Sequence, residues 1–209
     1  MRTDLNEERL TELREKVRPY LTEKRYNHTL AVEKQADRLG GIYLPEDRFR
    51  LRAAALLHDI TKREDYPNQL NYCKLFDIIV PSLSETTTEV FHAITGASLA
   101  ENDFSSFVDE DIVSGVRWHT TGHDNMTLFE TIIYLADYIE ETRTYSGCIE
   151  LRRELYSRID NGEDPLTVLK ESTLKSLNMT VEHLKEKGSV IDQNTMKAIE
   201  YFSGNKVFL

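Results

Sequence analysis

The stretch LRAAALLHD, residues 51–59, is an apolar run that ends in an adjacent histidine and aspartate. Leu51, Ala55 and His58 lie at helical spacing, so they share one face of a helix, which we expect to point inward. Burying a carboxylate such as that of Asp59 costs several kcal/mol unless the group is paired or coordinated. The adjacent His58 and Asp59 therefore need a cation or a hydrogen-bonding group from elsewhere in the chain.

The same three- and four-residue spacing of apolar positions continues along almost the whole chain, which predicts an all-α fold. We predict helices over residues 6–18, 20–39, 46–59, 69–78, 86–101, 109–120, 127–141, 148–160, 164–186 and 192–202. Capping residues mark several starts, namely Pro45 followed by Glu46 and Asp47, Ser84 before Thr86, and Asp164 before Pro165. Glycines mark the expected ends, at Gly40-Gly41, Gly122 and Gly188.

Composition narrows the class of protein. The 209 residues are 40% hydrophobic and 30% charged, which favours one globular domain over a disordered chain. The net charge of −10 argues against nucleic-acid binding and against a basic membrane surface. No apolar run is long enough to span a membrane, and the acidic N-terminus is not a signal peptide, so we expect a cytoplasmic protein. Cys73 and Cys148 are expected to be buried or half-buried free thiols.

Three more histidines and one aspartate, which are residue types that bind metals, lie among apolar residues. They are His28 in RYNHTLAV, His92 in FHAITGA, His119 in RWHTTGH and Asp137 in IIYLADYIE. Taken singly, each histidine could be a hydrogen-bonded core residue, and the aspartate could pair with a buried arginine. Together with His58 and Asp59 they place imidazoles and carboxylates on five helices. Such ligands suit Fe, Mn, Zn, Co or Ni, and facing helices are a usual place to hold them.

Two histidines are left over. His123 follows His119 by four residues, but the intervening Gly122 reads as a helix end, so the two are not expected to share a helix face. His123 is either a pocket-lining or a surface residue, with the surface slightly favoured. His183 lies near a predicted helix C-terminus, where a histidine interacts favourably with the helix dipole.

The ordered pattern of His28, then His58-Asp59, then Asp137 resembles the HD-domain superfamily of metal-dependent phosphohydrolases, and the added His92 and His119 resemble its two-metal branch. The strings RYNHTLAV, AALLHDITK, HAITGA, WHTTG and ADYIEETR are similar to the bacterial YqeK-type family of symmetrical bis(5'-nucleosyl)-tetraphosphatases. The likeness implies an HD-domain helical bundle over residues 18–160. An N-terminal helix (1–17) would precede it, and a C-terminal helical extension (161–209) would pack on the same domain.

The resemblance implies hydrolysis of diadenosine tetraphosphate, or of dinucleoside polyphosphates generally, to two ADP by a metal-activated water. One metal ion would be held by His28, His58, Asp59 and Asp137. A second would be held by Asp59, His92 and His119, with Asp59 bridging. The ions would be divalent or mixed-valence transition metals, with iron expected and Mn, Co, Ni or Zn as alternatives.

The same likeness implies a set of substrate contacts, formed by Arg25, Lys62, Thr120, Thr121 and Arg143. Lys62 joins Asp59 as a catalytic candidate. The alternative for each cation is a solvated helix surface, which is the usual place for arginine and lysine. Glu140 and Glu141 are expected to orient these cations or to face water.

Two other functions remain open at this point. An HD-domain phosphatase of nucleoside mono-, di- or triphosphates could use an identical metal site, and its products would differ. A non-catalytic regulatory module could bind a dinucleoside polyphosphate or an ADP-like nucleotide without turnover. We predict no nucleic-acid or membrane partner, and a homodimer is a candidate assembly.

Overall fold

Local side-chain caps set where most helices of the computed structural model begin; the structure describes residues 2–79 and 88–204. The helices are α1 (Glu7–Val17), α2 (Glu23–Tyr43), α3 (Arg48–Leu57), α4 (Tyr66–Leu75), α5 (Phe91–Asp103), α6 (Glu110–Trp118), α7 (Leu128–Ile139), α8 (Ser146–Asp160), α9 (Pro165–Glu186) and α10 (Gln193–Ser203). N-cap side chains accept first-turn N–H groups at Asn6, Thr22, Asp65, Asp109, Thr127, Asp164 and Asp192. No strand occurs within the described residues, so the all-α prediction is confirmed.

Helix ends differ from the predicted ones by a few residues, for local reasons. α3 begins at Arg48 because Pro45–Asp47 form a short 3-10 turn, and it ends at Leu57, which leaves His58 and Asp59 just beyond it. α4 begins three residues before the predicted residue 69 because Asp65 caps it. The predicted helix start at Ser84 and Thr86 lies outside the described residues.

The predicted stop at Gly40-Gly41 is wrong, because α2 runs through both glycines to Tyr43. A Cβ on Gly40 would lie 2.8 Å from Cδ1 of Leu51 and 3.3 Å from Cγ of Arg48. The glycine therefore allows α3 to approach α2 closely instead of ending the helix. A Cβ on Gly41 would meet nothing nearer than 3.8 Å.

α3 is the central helix of the bundle. It packs against α1, α2, α5, α6 and α7. Its residues from Ala53 to Leu57 are all 0% exposed, as expected for a helical segment that is apolar all round. Because α3 is surrounded by other helices, the two polar residues that follow it are delivered into the interior.

One hydrophobic cluster extends from Leu5 before α1 to Leu169 in α9, and a second joins α7 to α9 and α10 around Tyr134 and Phe202. The boundaries at residues 17 and 160 stay a prediction. Cys73 and Cys148 are free and buried, as expected. No helix among the described residues is both long and apolar enough to cross a membrane.

The continuous course of α2 through its two glycines can be tested with a matched pair of substitutions. We expect Gly41→Ala to raise the free energy of unfolding by about 0.5–1 kcal/mol, because alanine favours an exposed helical position over glycine. Gly40→Ala should lower it, since overpacking costs about 1–3 kcal/mol and exceeds the helix-propensity gain. Denaturant midpoints measure both changes; stabilisation by both variants would contradict the close approach of α2 and α3.

Candidate metal centre

Helix ends bring the predicted ligands together. His58 is the C-cap of α3 and Asp59 follows it, while His119 is the C-cap of α6. His92 is the second residue of α5. His28 and Asp137 project from within α2 and α7. Each of the four histidines is at most 7% exposed and Asp59 is 3% exposed, so the group lies inside the bundle.

His28, His58, Asp59 and Asp137 form the first half of the cluster. The Nε2 atoms of His28 and His58 are 3.3 Å apart. Oδ2 of Asp59 lies 3.6 Å from Nε2 of His28 and 3.3 Å from that of His58. Oδ1 of Asp137 lies 3.1 Å and 3.9 Å from the same two nitrogens. These four side chains surround one small volume.

Asp59, His92 and His119 form the second half. Oδ1 of Asp59 lies 3.2 Å from Nε2 of His92 and 3.6 Å from Nε2 of His119. Those two nitrogens are 3.1 Å apart. The two oxygens of one carboxylate thus face different pairs of imidazoles, and the two halves of the cluster share Asp59.

The outer nitrogen of every imidazole in the cluster has an acceptor. Three rings contact the backbone carbonyl three residues earlier through Nδ1: His58 to Ala55 (2.6 Å), His92 to Glu89 (2.7 Å) and His119 to Val116 (2.7 Å). His28 instead contacts Oε1 of Glu140 through Nδ1, at 3.1 Å. A proton on Nδ1 leaves Nε2 with a lone pair that faces the centre, which is the arrangement found in metal-binding histidines.

Burial and neighbouring charges shift the pKa values of the imidazole rings in opposite directions. Burial lowers the pKa of His92 to about 4 and also lowers that of His119, so both are neutral at pH 7. Burial acts to lower the pKa of His28 as well, but hydrogen bonds to Asp137 and Glu140 raise it to about 9. A proton therefore stays on Nε2 of His28, directed at Asp137, unless a cation replaces it.

Both carboxylates of the cluster are ionised. Burial acts to raise the pKa of Asp59, but the charge of His58 and the close contacts with His119, His58 and His92 hold it well below its usual range. For Asp137 burial is likewise outweighed, first by the charge of Arg143. The two carboxylates therefore each carry a full negative charge in a buried place.

The chemistry of these side chains fits metal ions. In the second half of the cluster, two neutral Nε2 atoms and one carboxylate oxygen converge, and all three are hydrogen-bond acceptors. Acceptors placed 3.1–3.6 Å apart repel unless a proton or a cation lies among them. Nitrogen and oxygen donors in this combination suit borderline and hard divalent metals. Metal-capable groupings include His28, His58 and Asp137, and also His58, Asp59 and His119.

Two predicted cations lie against the carboxylates. Nη1 of Arg25 donates to Oδ2 of Asp59 at 2.8 Å, and Nη2 of Arg143 donates to Oδ1 of Asp137 at 2.6 Å. Their side chains are 34% and 40% exposed, so both arginines also contact solvent. Each arginine spans from a buried carboxylate to solvent.

Lys62 and Thr120 lie beside the second half of the cluster. Nζ of Lys62 is 3.2 Å and 3.3 Å from the two ring nitrogens of His92, and burial lowers the pKa of this lysine. Oγ1 of Thr120 is 3.1 Å from Nε2 of His119. A cavity of about 210 Å³ opens here, lined by Lys62, Tyr66 and His92 among others.

Thr121, the other threonine of the pair, makes none of these contacts. Its buried hydroxyl donates to the carbonyl of Gly122 at 2.9 Å. His123 is half-buried, with Nε2 3.2 Å from Oε2 of Glu130 and its ring 4.5 Å from that of Trp118. His183 lies in the last turn of α9, as expected.

Glu140 does not face water. It is 0% exposed, contacts His28 and has Oε1 3.6 Å from Nε of Arg143, one of the cations that it was expected to orient. The available signal was its position three residues after Asp137, which puts both acids on one helix face. Glu141, by contrast, is exposed and pairs with Lys34 at 2.9 Å.

Comparison with known proteins identifies the family of this chain. A model of the HD domain family matches residues 25–142. The chain is 32% identical over 180 residues to a Halalkalibacterium halodurans protein named bis(5'-nucleosyl)-tetraphosphatase, symmetrical; the match covers 86% of this chain and 89% of that protein. A Staphylococcus aureus protein of the same name is 30% identical over 183 residues, with 88% and 89% covered.

A solved structure from Clostridium acetobutylicum, described as a predicted HD superfamily hydrolase involved in NAD metabolism, matches with a TM-score of 0.81 and 32% identity. The match covers 94% of this chain and 97% of that one. The predicted HD-domain helical fold is therefore confirmed. With a family model that spans more than half of its length and relatives of this similarity along most of it, the chain belongs to the HD domain family.

Proposed function

We propose that this protein is a metal-dependent hydrolase that cleaves diadenosine tetraphosphate, and related dinucleoside polyphosphates, symmetrically to two ADP. The observation that carries the proposal is the buried cluster of four imidazoles and two carboxylates, with Arg25, Lys62 and Arg143 at its edge. The names of its relatives from Halalkalibacterium halodurans and Staphylococcus aureus support the substrate.

The proposed centre holds two divalent metal ions. His28, His58, Asp59 and Asp137 would bind one, and Asp59, His92 and His119 the other, since the two oxygens of Asp59 face the two imidazole pairs. Metal ions bound there would activate water as a nucleophile at neutral pH and offset charge on the phosphoryl oxygens. Iron is the metal we propose, and the donor set equally suits Mn, Co, Ni or Zn.

The side chains around the centre would orient the phosphate chain. Arg25 and Arg143 are held by their carboxylate partners while each side chain stays partly exposed, so each can offer N–H groups to phosphate oxygens. Lys62 and Thr120 stand on the other side, beside His92 and His119, and can donate to the same anion. Thr121 stays a predicted substrate contact without such support.

Symmetrical cleavage requires attack at one of the two inner phosphorus atoms. Water adds to that phosphorus, the bridging P–O bond between the inner phosphates breaks, and two ADP molecules leave with the water's atoms shared between them. The cations on both sides of the cluster would hold the four phosphates so that an inner one faces the centre. The homodimer stays a prediction.

The substrate assignment can be tested by product analysis. We expect protein purified without chelator to convert diadenosine tetraphosphate to ADP as sole nucleotide product, with no inorganic phosphate, as resolved by ion-exchange chromatography. Inorganic phosphate released from nucleoside mono-, di- or triphosphates would favour the phosphatase alternative. Binding of the dinucleotide without turnover in metal-loaded protein would favour the regulatory module.

Metal dependence is expected to be complete. Removal of metal with a chelator should abolish ADP release, because the proposed nucleophile is a metal-activated water and the metal ions would also offset charge on the phosphoryl oxygens. Addition of Fe²⁺, Mn²⁺ or Co²⁺ should restore it, and elemental analysis should count two ions per active chain. Full activity in verified metal-free protein would contradict the proposal.

His92 tests the second ion. We expect His92→Ala to lower the metal content from two ions to one per chain and turnover by at least about 100-fold, because one charge-stabilising group is lost. His183→Ala, at the far end of α9, is the matched control and should keep both. Helical circular dichroism shows that each variant is folded; undiminished turnover with one ion would show that the second is not needed.

Lys62 tests the substrate contact. Lys62→Gln keeps a polar but shorter side chain and removes its charge, so we expect kcat/KM for diadenosine tetraphosphate to fall by about 10- to 100-fold with the metal content unchanged. Arg63→Gln, at the exposed neighbouring residue, should leave kcat/KM within about twofold. Equal values for both variants would remove Lys62 from the proposed site.

A further inference from the structure

The four imidazoles of the cluster are held in two different ways. His58 and His119 are C-caps, where the last carbonyls of a helix have no partner within the helix and can accept an Nδ1 proton. His92 lies at the start of α5 and uses the carbonyl of Glu89 in the turn before it. These three rings are oriented by backbone close to them in sequence.

His28 has no such carbonyl. It lies in α2, which continues to Tyr43, so the carbonyls one turn before it are occupied by the hydrogen bonds of the helix itself. Its Nδ1 proton therefore needs an acceptor from another element. That acceptor is Glu140, which is 112 residues away and directly follows α7.

The carboxylate of Glu140 is held in place by Thr142. The backbone N–H of Thr142 donates to Oε2 at 2.5 Å, and its hydroxyl donates to Oε1 at 2.7 Å. Oε1 is the same oxygen that faces Nδ1 of His28 at 3.1 Å. The carboxylate is thus oriented from two sides, and it is fully buried.

Arg152 of α8 holds the backbone at the same place. Its Nη1 donates to the carbonyl of Ile139 at 2.8 Å and to that of Glu140 at 2.6 Å. The carbonyl of Glu140 also accepts the backbone N–H of Arg143 at 3.2 Å, and a cation is favourable at the C-terminal end of α7 because of the helix dipole. Arg152 thereby fixes the chain segment that carries Glu140.

We propose that Glu140 is a positioning residue of the metal centre, which keeps the proton of His28 on Nδ1 and so leaves Nε2 free to bind metal, with Thr142 and Arg152 holding Glu140. The proposal rests on the metal centre of the proposed function. It differs from that function in predicting a selective effect: only the half of the cluster that contains His28 should respond to changes at Glu140.

The test is a Co²⁺ titration of metal-free protein against a competing chromophoric chelator. We compare wild type, Glu140→Ala, Glu140→Gln and Thr142→Val with the matched control Glu141→Gln, a neighbouring exposed acid. Glu140→Ala should weaken one of two Co²⁺ binding phases by about 10- to 100-fold and change its absorption spectrum, while the other phase is unchanged. Glu140→Gln and Thr142→Val should give smaller changes in the same phase, and Glu141→Gln should match wild type.

The outcomes separate the two proposals. If wild type and Glu141→Gln bind Co²⁺ and the Glu140 variants bind it equally tightly in both phases, the positioning role is wrong and the metal centre stands. Weakening of both phases alike in folded protein would also overturn it. If wild type binds no Co²⁺, the metal centre itself fails. Thermal unfolding of the metal-free variants checks the fold, and if Glu140→Ala is unfolded, Glu140→Gln and Thr142→Val decide.

Discussion

The buried carboxylate of Asp59 has four imidazole Nε2 atoms within 3.6 Å of its two oxygens. Its Oδ2 faces His28 and His58, and its Oδ1 faces His92 and His119. Ionised and buried, this carboxylate would be costly without cations nearby. The arrangement is stable only with positive charge in it, whether from metal ions or from protons and the neighbouring Arg25.

The bundle produces this convergence through the ends of its helices. α3 is surrounded by other helices, and both α3 and α6 are followed by a C-cap histidine whose ring can use a free carbonyl of its own helix end. Such a histidine is oriented by nearby backbone. The ring of His28, in the middle of α2, is oriented by Glu140 from across the bundle, so its geometry depends on how α2 and α7 pack.

The positive charges beside the cluster come from two arginines at its edge. Arg25 and Arg143 lie at the boundary between the buried carboxylates and solvent, where a guanidinium can serve a carboxylate and still reach an anion outside. A chain with a net charge of −10 can therefore present local positive charge to a polyphosphate. The net negative charge of the protein repels a polyphosphate at long range. Attraction to the polyphosphate therefore depends on these few short-range contacts.

The sequence by itself determined most of the helices, because apolar periodicity and capping residues are local properties. Asp164 caps the start of α9, and Gly188 after its end has a φ of +65°, which favours glycine. It also singled out the histidines and aspartates of the centre, since polar residues in apolar runs need partners. Only the tertiary structure decided that Glu140 is buried while Glu141 is exposed, that Thr120 and not Thr121 faces the imidazoles, and that α2 continues through Gly40. Each of these depends on contacts between residues far apart in sequence, which helix packing creates and local patterns do not contain.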